Sequence, residues 1–206
     1  MEYYENGQLN YKGNFKNGEL DGFYEKFYEN GNIRERVTYR NDLMHGTHET
    51  FYDSGEINWK RNFKDGELHG RWESVYKNGK TYILSNWKNG IELNQTRFAY
   101  YENGQLKVKQ DFKGDKSNGL YERFSENGQL SSKGNYKDGN RDGLYEVFID
   151  KDKSSLKTLK KAPPNMNFDN LKSVKTRPMY TKADGSLWGK ICYKNDKEVG
   201  MSYCED

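Results

Sequence analysis

Counted forward from Gly7, apolar and polar residues alternate in an order that keeps returning. Offset +2 carries Leu9, Ile33, Ile57, Leu106 and Leu130, and offset +8 carries Phe15, Tyr39, Phe63, Trp87, Phe112 and Tyr136. The odd offsets are polar: +5 holds Lys12, Arg36, Lys60, Lys109 and Lys133, and +9 holds Lys16, Arg40, Lys64, Lys88, Lys113 and Lys137. Alternation of this kind predicts a strand with a dry and a wet face, with +2 and +8 on a common side. Asn17-Gly18, Asp65-Gly66, Asn89-Gly90 and Asp138-Gly139 follow, dipeptides that tolerate positive φ and predict tight reversals. A second strand then starts near a glycine at +15 (Gly22, Gly46, Gly70, Gly119, Gly143) and carries Tyr24, His48, Trp72, Tyr121 and Tyr145 at +17. It ends at the next Asn-Gly.

Each such block is a β-hairpin, and the blocks repeat. Their first glycines are Gly7, Gly31, Gly55, Gly79, Gly104 and Gly128, in steps of 24, 24, 24, 25 and 24 residues. A fixed period of this size predicts a repeat architecture. The fold expected is all-β: an elongated meander of tandem hairpins in a single extended, twisted sheet. Six repeats are expected over 1–150. After Phe148 the pattern falters, with Asp152 in place of the glycine, Lys160 in place of the +8 aromatic, and Ala162-Pro163-Pro164 opposing regular pairing. It restarts at Asp184-Gly185-Ser186-Leu187. The expectation is a degenerate seventh repeat with a basic insertion over 151–182 and a terminal hairpin or cap over 183–206.

The unit Tyr-x-Glu-Asn-Gly-Gln-Leu, then Gly-Asn-Phe-Lys-Asn-Gly, then Asp-Gly-Phe-Tyr resembles the MORN repeat in its bacterial variant form. The likeness is close over residues 3–149, weaker over 180–203, and lost over 150–179. The resemblance implies a string of hairpins in a twisted sheet. It also implies two kinds of role: an antitoxin or immunity protein that binds a partner protein, a toxin for instance, and a scaffold at a membrane or cell surface that contacts phospholipid or glycan. A repeat carries over its fold better than its partner.

Composition changes this picture little. Charged residues make up 32% of the chain and mean hydropathy is −1.22, values typical of disorder, but aromatics are 15% and sit at repeating positions, as a thin aromatic core requires. No stretch reaches the roughly 20 apolar residues of a spanning helix. The chain starts almost inside a repeat (Met1-Glu2-Tyr3-Tyr4), so an upstream signal or capping unit is an expectation. A cytoplasmic location goes with the antitoxin reading, and the cell envelope or secretion with a removed signal. Net charge is +3, yet residues 151–182 hold nine Lys/Arg against two acids.

The glutamates at +18 (Glu25, Glu49, Glu73, Glu122, Glu146) lie opposite in face to the +17 aromatics and are expected to meet the +5 cations across strands. A self-neutralised stripe of this sort argues against nucleic acid, which would need its cations unpaired. His45 and His69 share one register about 10 Å apart and read as turn residues, so no metal is expected. Acids and serines recur as columns without a unique nucleophilic cluster, which argues against an enzyme, and no cofactor is expected.

Two features point to binding. Phe27-Tyr28, Phe51-Tyr52, Val75-Tyr76 and Tyr100-Tyr101 close the second strands, and one column of each pair is expected to face solvent unless a bulge turns it. These columns read either as stacking between successive hairpins or as a ladder for a partner protein or a sugar polymer, and the second reading makes Tyr28, Tyr52, Tyr76 and Tyr101 candidates for partner contact. The basic segment adds Lys157, Lys160, Lys161, Lys172, Lys175 and Arg177, suited to an acidic protein or anionic lipid. Cys192 (+7) and Cys204 (+19) differ in strand parity, which predicts free thiols over a disulfide.

Overall fold

The computed structural model describes residues 1–149, 179–181, 187–199 and 204. These are β throughout, with a single 3-10 position at Cys204 and no α-helix among the described residues. By their contacts they fall into two units, residues 1–99 with 111–115, and residues 100–110 with 116–206.

Turn chemistry sets the hairpins. Asn17 and Gly18 adopt φ of 54° and 88°, Asp65 and Gly66 50° and 86°, Asn89 and Gly90 50° and 73°, and Asp138 and Gly139 52° and 94°. Two successive positive φ values give the two-residue turn whose twist matches flanking strands. Asn41-Asp42 (47°, 60°) and Asn195-Asp196 (49°, 62°) do the same without glycine, because short polar side chains tolerate the left-handed region.

In the first unit the strands are β1 (Glu2–Tyr3), β2 (Leu9–Lys16), β3 (Glu19–Phe27), β4 (Ile33–Arg40), β5 (Leu43–Phe51), β6 (Ile57–Lys64), β7 (Glu67–Leu68), β8 (Gly70–Val75), β9 (Thr81–Lys88) and β10 (Ile91–Tyr100). Successive strands pair antiparallel from β1 to β7, β6 pairs β8 past the break, and β8, β9 and β10 continue the meander. After β11 (Leu106–Lys113), the second unit holds β12 (Lys116–Phe124), β13 (Leu130–Lys137), β14 (Asn140–Ile149), β15 (Met179–Thr181), β16 (Leu187–Lys194) and β17 (Lys197–Val199). There β12 pairs β13, β13 pairs β14, and β14 pairs β16 directly. Gly143 faces Tyr193 just as Gly22 faces Tyr39 and Gly119 faces Tyr136. The terminal hairpin thus takes the register of the next repeat, with β15 and β17 on its far side. Apart from β15, the repeat expected over 151–182 lies outside the described residues.

The register corrects one expectation about faces. Glu25 faces Arg36 and Lys26 faces Glu35, but then Phe27 faces Ile33, a shift that leaves one extra residue in β4. The same shift recurs at Phe51 opposite Ile57 and Phe124 opposite Leu130. A bulge flips side-chain parity along a strand. Offset +2 therefore shares a face with +5, +18 and +20, not with +8.

Cys192 and Cys204 form a disulfide, their Cα atoms 6.2 Å apart, where free thiols are expected from parity. Parity counts only along a strand, and β17 ends at Val199. Cys204 lies beyond it, so its side chain is not bound to either face. Cys192 is fully buried.

Candidate partner-binding face

One face carries the cross-strand charges together with the +2 and +20 apolar residues. On it, Glu25 takes Lys12 Nζ at 2.8 Å and Arg36 Nε at 2.7 Å; Glu49 takes Lys60 Nζ at 2.8 Å and Arg36 at 3.7 Å. In the second unit Lys109 meets Glu122 at 3.1 Å and Lys133 meets Glu146 at 2.7 Å. The expected cross-strand column is present, and Glu25 and Glu49 are each shared between their own hairpin and a neighbouring one. Burial pushes the Glu25 carboxyl up, but Lys12 and Arg36 outweigh it and hold the group below the usual carboxylate range. This ionic face is spent on itself.

The other face carries +4, +6, +8 and +17. Rings meet in pairs along it: Tyr11 with Tyr24 (5.7 Å between centroids), Tyr24 with Tyr39 (6.2 Å), His48 with Trp59 (4.5 Å) and Trp72 with Trp87 (5.9 Å). The second unit repeats this with Tyr121 and Tyr136 (5.7 Å), Tyr121 and Tyr145 (6.3 Å), and Tyr145 and Tyr193 (5.9 Å). Burial pushes the Tyr136 phenol up to about 12, so it stays protonated. Tyr145 and Tyr193 are buried, whereas Tyr24, Tyr39, Trp59, Phe63, Trp72 and Trp87 in the first unit are only half-buried. That half-exposed run is the aromatic surface the first unit offers.

Within it, β5, β6 and β8 depart from the column. Position +6 is Gly13, Val37, Ser85, Gln110 and Gly134 in other hairpins, but Arg61 here. Its guanidinium lies 4.2 Å from the Trp59 ring centroid and 4.5 Å from that of Trp72. His48, opposite Arg61 in register, gives Nε2 to Glu35 Oε1 at 2.7 Å, and that bond holds Glu35 below the usual carboxylate range. Four buried polar side-chain atoms among the described residues lack a hydrogen-bond partner: His48 Nδ1, Thr50 Oγ1, Arg61 Nε and Trp72 Nε1. All four belong to this patch.

Sequence reasoning did not single out this patch. The signals were present, since three of the four tryptophans fall between residues 59 and 87 and Arg61 is the one charged residue among Gly13, Val37, Ser85, Gln110 and Gly134 at the same offset. His45 lies within β5, and His69 lies between β7 and β8; each reaches the turn residue of the following hairpin, His45 against Asp65 (3.0 Å) and His69 against Asn89 (3.2 Å). Among the described residues no three metal-ligating side chains converge.

The tyrosine candidates are placed at the turns between repeats. Tyr28 Oη donates to the Phe51 carbonyl (2.8 Å), Tyr52 to Val75 (2.9 Å) and Tyr101 to Phe124 (2.8 Å), and Tyr4 does the same to Phe27 (2.7 Å). Each phenol ties its repeat to the next. Asparagines add a second tie: Asn30 and Asn103 cap their own turns through Oδ1 and donate through Nδ2 to the carbonyls of Asp53 and Glu126. Tyr76, more exposed, stacks on Tyr82 at 4.6 Å. Lys157, Lys160, Lys161, Lys172, Lys175 and Arg177 lie outside the described residues.

Comparison with known proteins adds a family match. The family model described as MORN repeat variant matches five stretches of the chain, residues 1–17, 20–41, 68–89, 96–113 and 117–138. Residues 42–67, which hold His48, Trp59 and Arg61, fall between matched stretches. No curated protein matches the chain. Among solved structures, the crystal structure of TarM is 14% identical over 50% of this chain with a TM-score of 0.31. The chain covers 21% of that one, about a fifth of its length, and at that score the likeness carries no argument.

Proposed function

We propose that this chain of MORN repeat variant units is a non-catalytic scaffold that binds a partner protein across the aromatic face of its sheet, as an antitoxin or immunity protein does. The observation that carries the reading is the contrast between faces. Charges on one face are paired with each other, while the first unit's other face keeps half-exposed tyrosines, tryptophans and an arginine in one run. Those are the residue types that dominate binding energy at protein interfaces. An open sheet supplies area for such contact rather than the enclosure most small-molecule sites need.

The test is co-expression of the chain with the product of the neighbouring gene, scored by rescue of growth and by co-purification. Tyr39→Ala and Trp59→Ala should each weaken binding by more than about 1 kcal/mol with little dependence on salt. If charge-neutralising changes at Lys160, Lys161 and Lys172 alone abolish binding, and salt weakens it strongly, the basic segment is the contact and the aromatic reading fails.

A further inference from the structure

Three arginines other than Arg61 stack on a ring and satisfy Nε as well. Arg97 lies 4.1 Å over Phe112 while its Nε donates to Gln95 Oε1. Arg141 lies 4.1 Å over Tyr193 while its Nε donates to Asp196 Oδ1 at 2.8 Å. Arg36 lies 5.9 Å over Phe51 and reaches Glu25. Arg61 stacks on two rings and its Nε, buried, has no partner. No acidic side chain forms an ion pair with it among the described residues, although the acids across the sheet are engaged by other cations. A charged group left in that state is costly, and removing water from it without an acceptor sacrifices a charge-assisted bond worth more than a neutral one.

The surroundings ask for the same kind of group. Trp72 Nε1, on a ring that Arg61 stacks upon, is a donor only; Thr50 Oγ1, opposite Trp59 in register, can donate or accept; and His48 Nδ1 lies on the residue opposite Arg61, all three buried without partners. Arg61 Nε and Trp72 Nε1 can only donate, so even when His48 Nδ1 accepts, at least one of these donors is left without an acceptor. Trp59, Trp72 and Arg61 each keep part of their surface open to solvent, so it can be reached from the open face. It also falls largely in residues 42–67, between the stretches that match the repeat family.

We infer that the Trp59–Arg61–Trp72 stack is a specificity pocket for one carboxylate side chain of an acidic protein segment. The inference rests on the protein-binding reading above and names what the partner must present at this point: an aspartate or glutamate whose oxygens accept from the guanidinium, with apolar neighbours that cover the two indoles. Planar pairing of this kind suits arginine and not lysine.

The experiment uses the full chain and follows tryptophan fluorescence during titration with a capped peptide carrying one glutamate between two phenylalanines, the same peptide with glutamine, and inorganic phosphate. The glutamate peptide should bind at least about tenfold more tightly than the glutamine peptide, a difference of about 1.4 kcal/mol. Arg61→Gln should reduce that preference to under twofold, and Arg61→Lys should recover only part of it. Trp72→Phe, which keeps a ring and removes the indole donor, should narrow the preference while leaving the fold intact, so the inference remains testable if the arginine variants melt. Equal binding of both peptides, no binding of either, or a preference that survives Arg61→Gln would overturn it. Phosphate binding as tightly as the glutamate peptide would assign the site to a free anion and would also overturn it. Should Trp59→Ala abolish capture of the partner while the peptides show no preference, the binding face would stand and the carboxylate pocket alone would fall.

Discussion

Replacing Tyr52 with phenylalanine isolates the tie between two repeats. The hydroxyl donates to Val75 O at 2.9 Å in a half-buried setting, while the ring, with Lys77 Nζ 5.4 Å above it, remains in the variant. What is lost is one neutral hydrogen bond, about 0.5–1.5 kcal/mol net, and water can reach the freed carbonyl, so about 1 kcal/mol is expected. For a chain of this length that lowers the melting midpoint by about 2–4 °C. Tyr52→Ala removes the half-buried ring too and should cost about 2–3 kcal/mol. Because repeats couple through their neighbours, amide exchange should accelerate around the Tyr52 turn and β8 before it does elsewhere. Urea and thermal melts with exchange measurements read all three. A phenylalanine variant as stable as the parent, or as damaged as the alanine variant, would refute the tie. If Tyr52 served a partner alone, both variants would melt normally and lose only binding.

Glu25→Gln should destabilise the fold by about 1 kcal/mol at neutral pH, since two cations lose their shared acceptor. The folded carboxyl titrates below its unfolded value, so its contribution is present above roughly pH 4–5 and disappears as pH falls through the folded pKa; melts should show the parent and variant converging there. Gly134→Ala would bring a Cβ to 2.2 Å from Tyr145 Cδ2 beneath a buried ring, costing about 1–3 kcal/mol, whereas Gly13→Ala, at 3.0 Å from Tyr24, should cost less; denaturant midpoints compare them. Reduction of Cys192–Cys204 should loosen the terminal hairpin by about 2–3 kcal/mol, visible as a lower midpoint in reductant and as mass gained on alkylation only after reduction.

Much of the fold was legible because local rules agreed with the period. Asn-Gly and Asp-Gly mark the reversals, and Lys12, Arg36 and Lys60 meet Glu25 and Glu49 as strand parity requires. Three things escaped for physical reasons. The bulge at Phe27 and Ile33 is a matter of pairing between two strands, which alternation along one strand does not encode. Tyr28 and Tyr52 left stacking between hairpins and a solvent-facing ladder both open, because their acceptors lie 23 residues ahead, a tie that exists only once the repeats are side by side. Arg61 hid in a polar sequence, since a cation looks ordinary until register sets it between Trp59 and Trp72.

The central claim, that the aromatic face is the one a partner protein covers, is tested most directly by site-specific photocrosslinking in extract of the source cells. A photoreactive side chain at Tyr39 reports the aromatic face, and one at Lys60 reports the ionic face of the same unit. The account predicts that Tyr39 captures one discrete protein and Lys60 does not. Capture from Lys60 alone would contradict it.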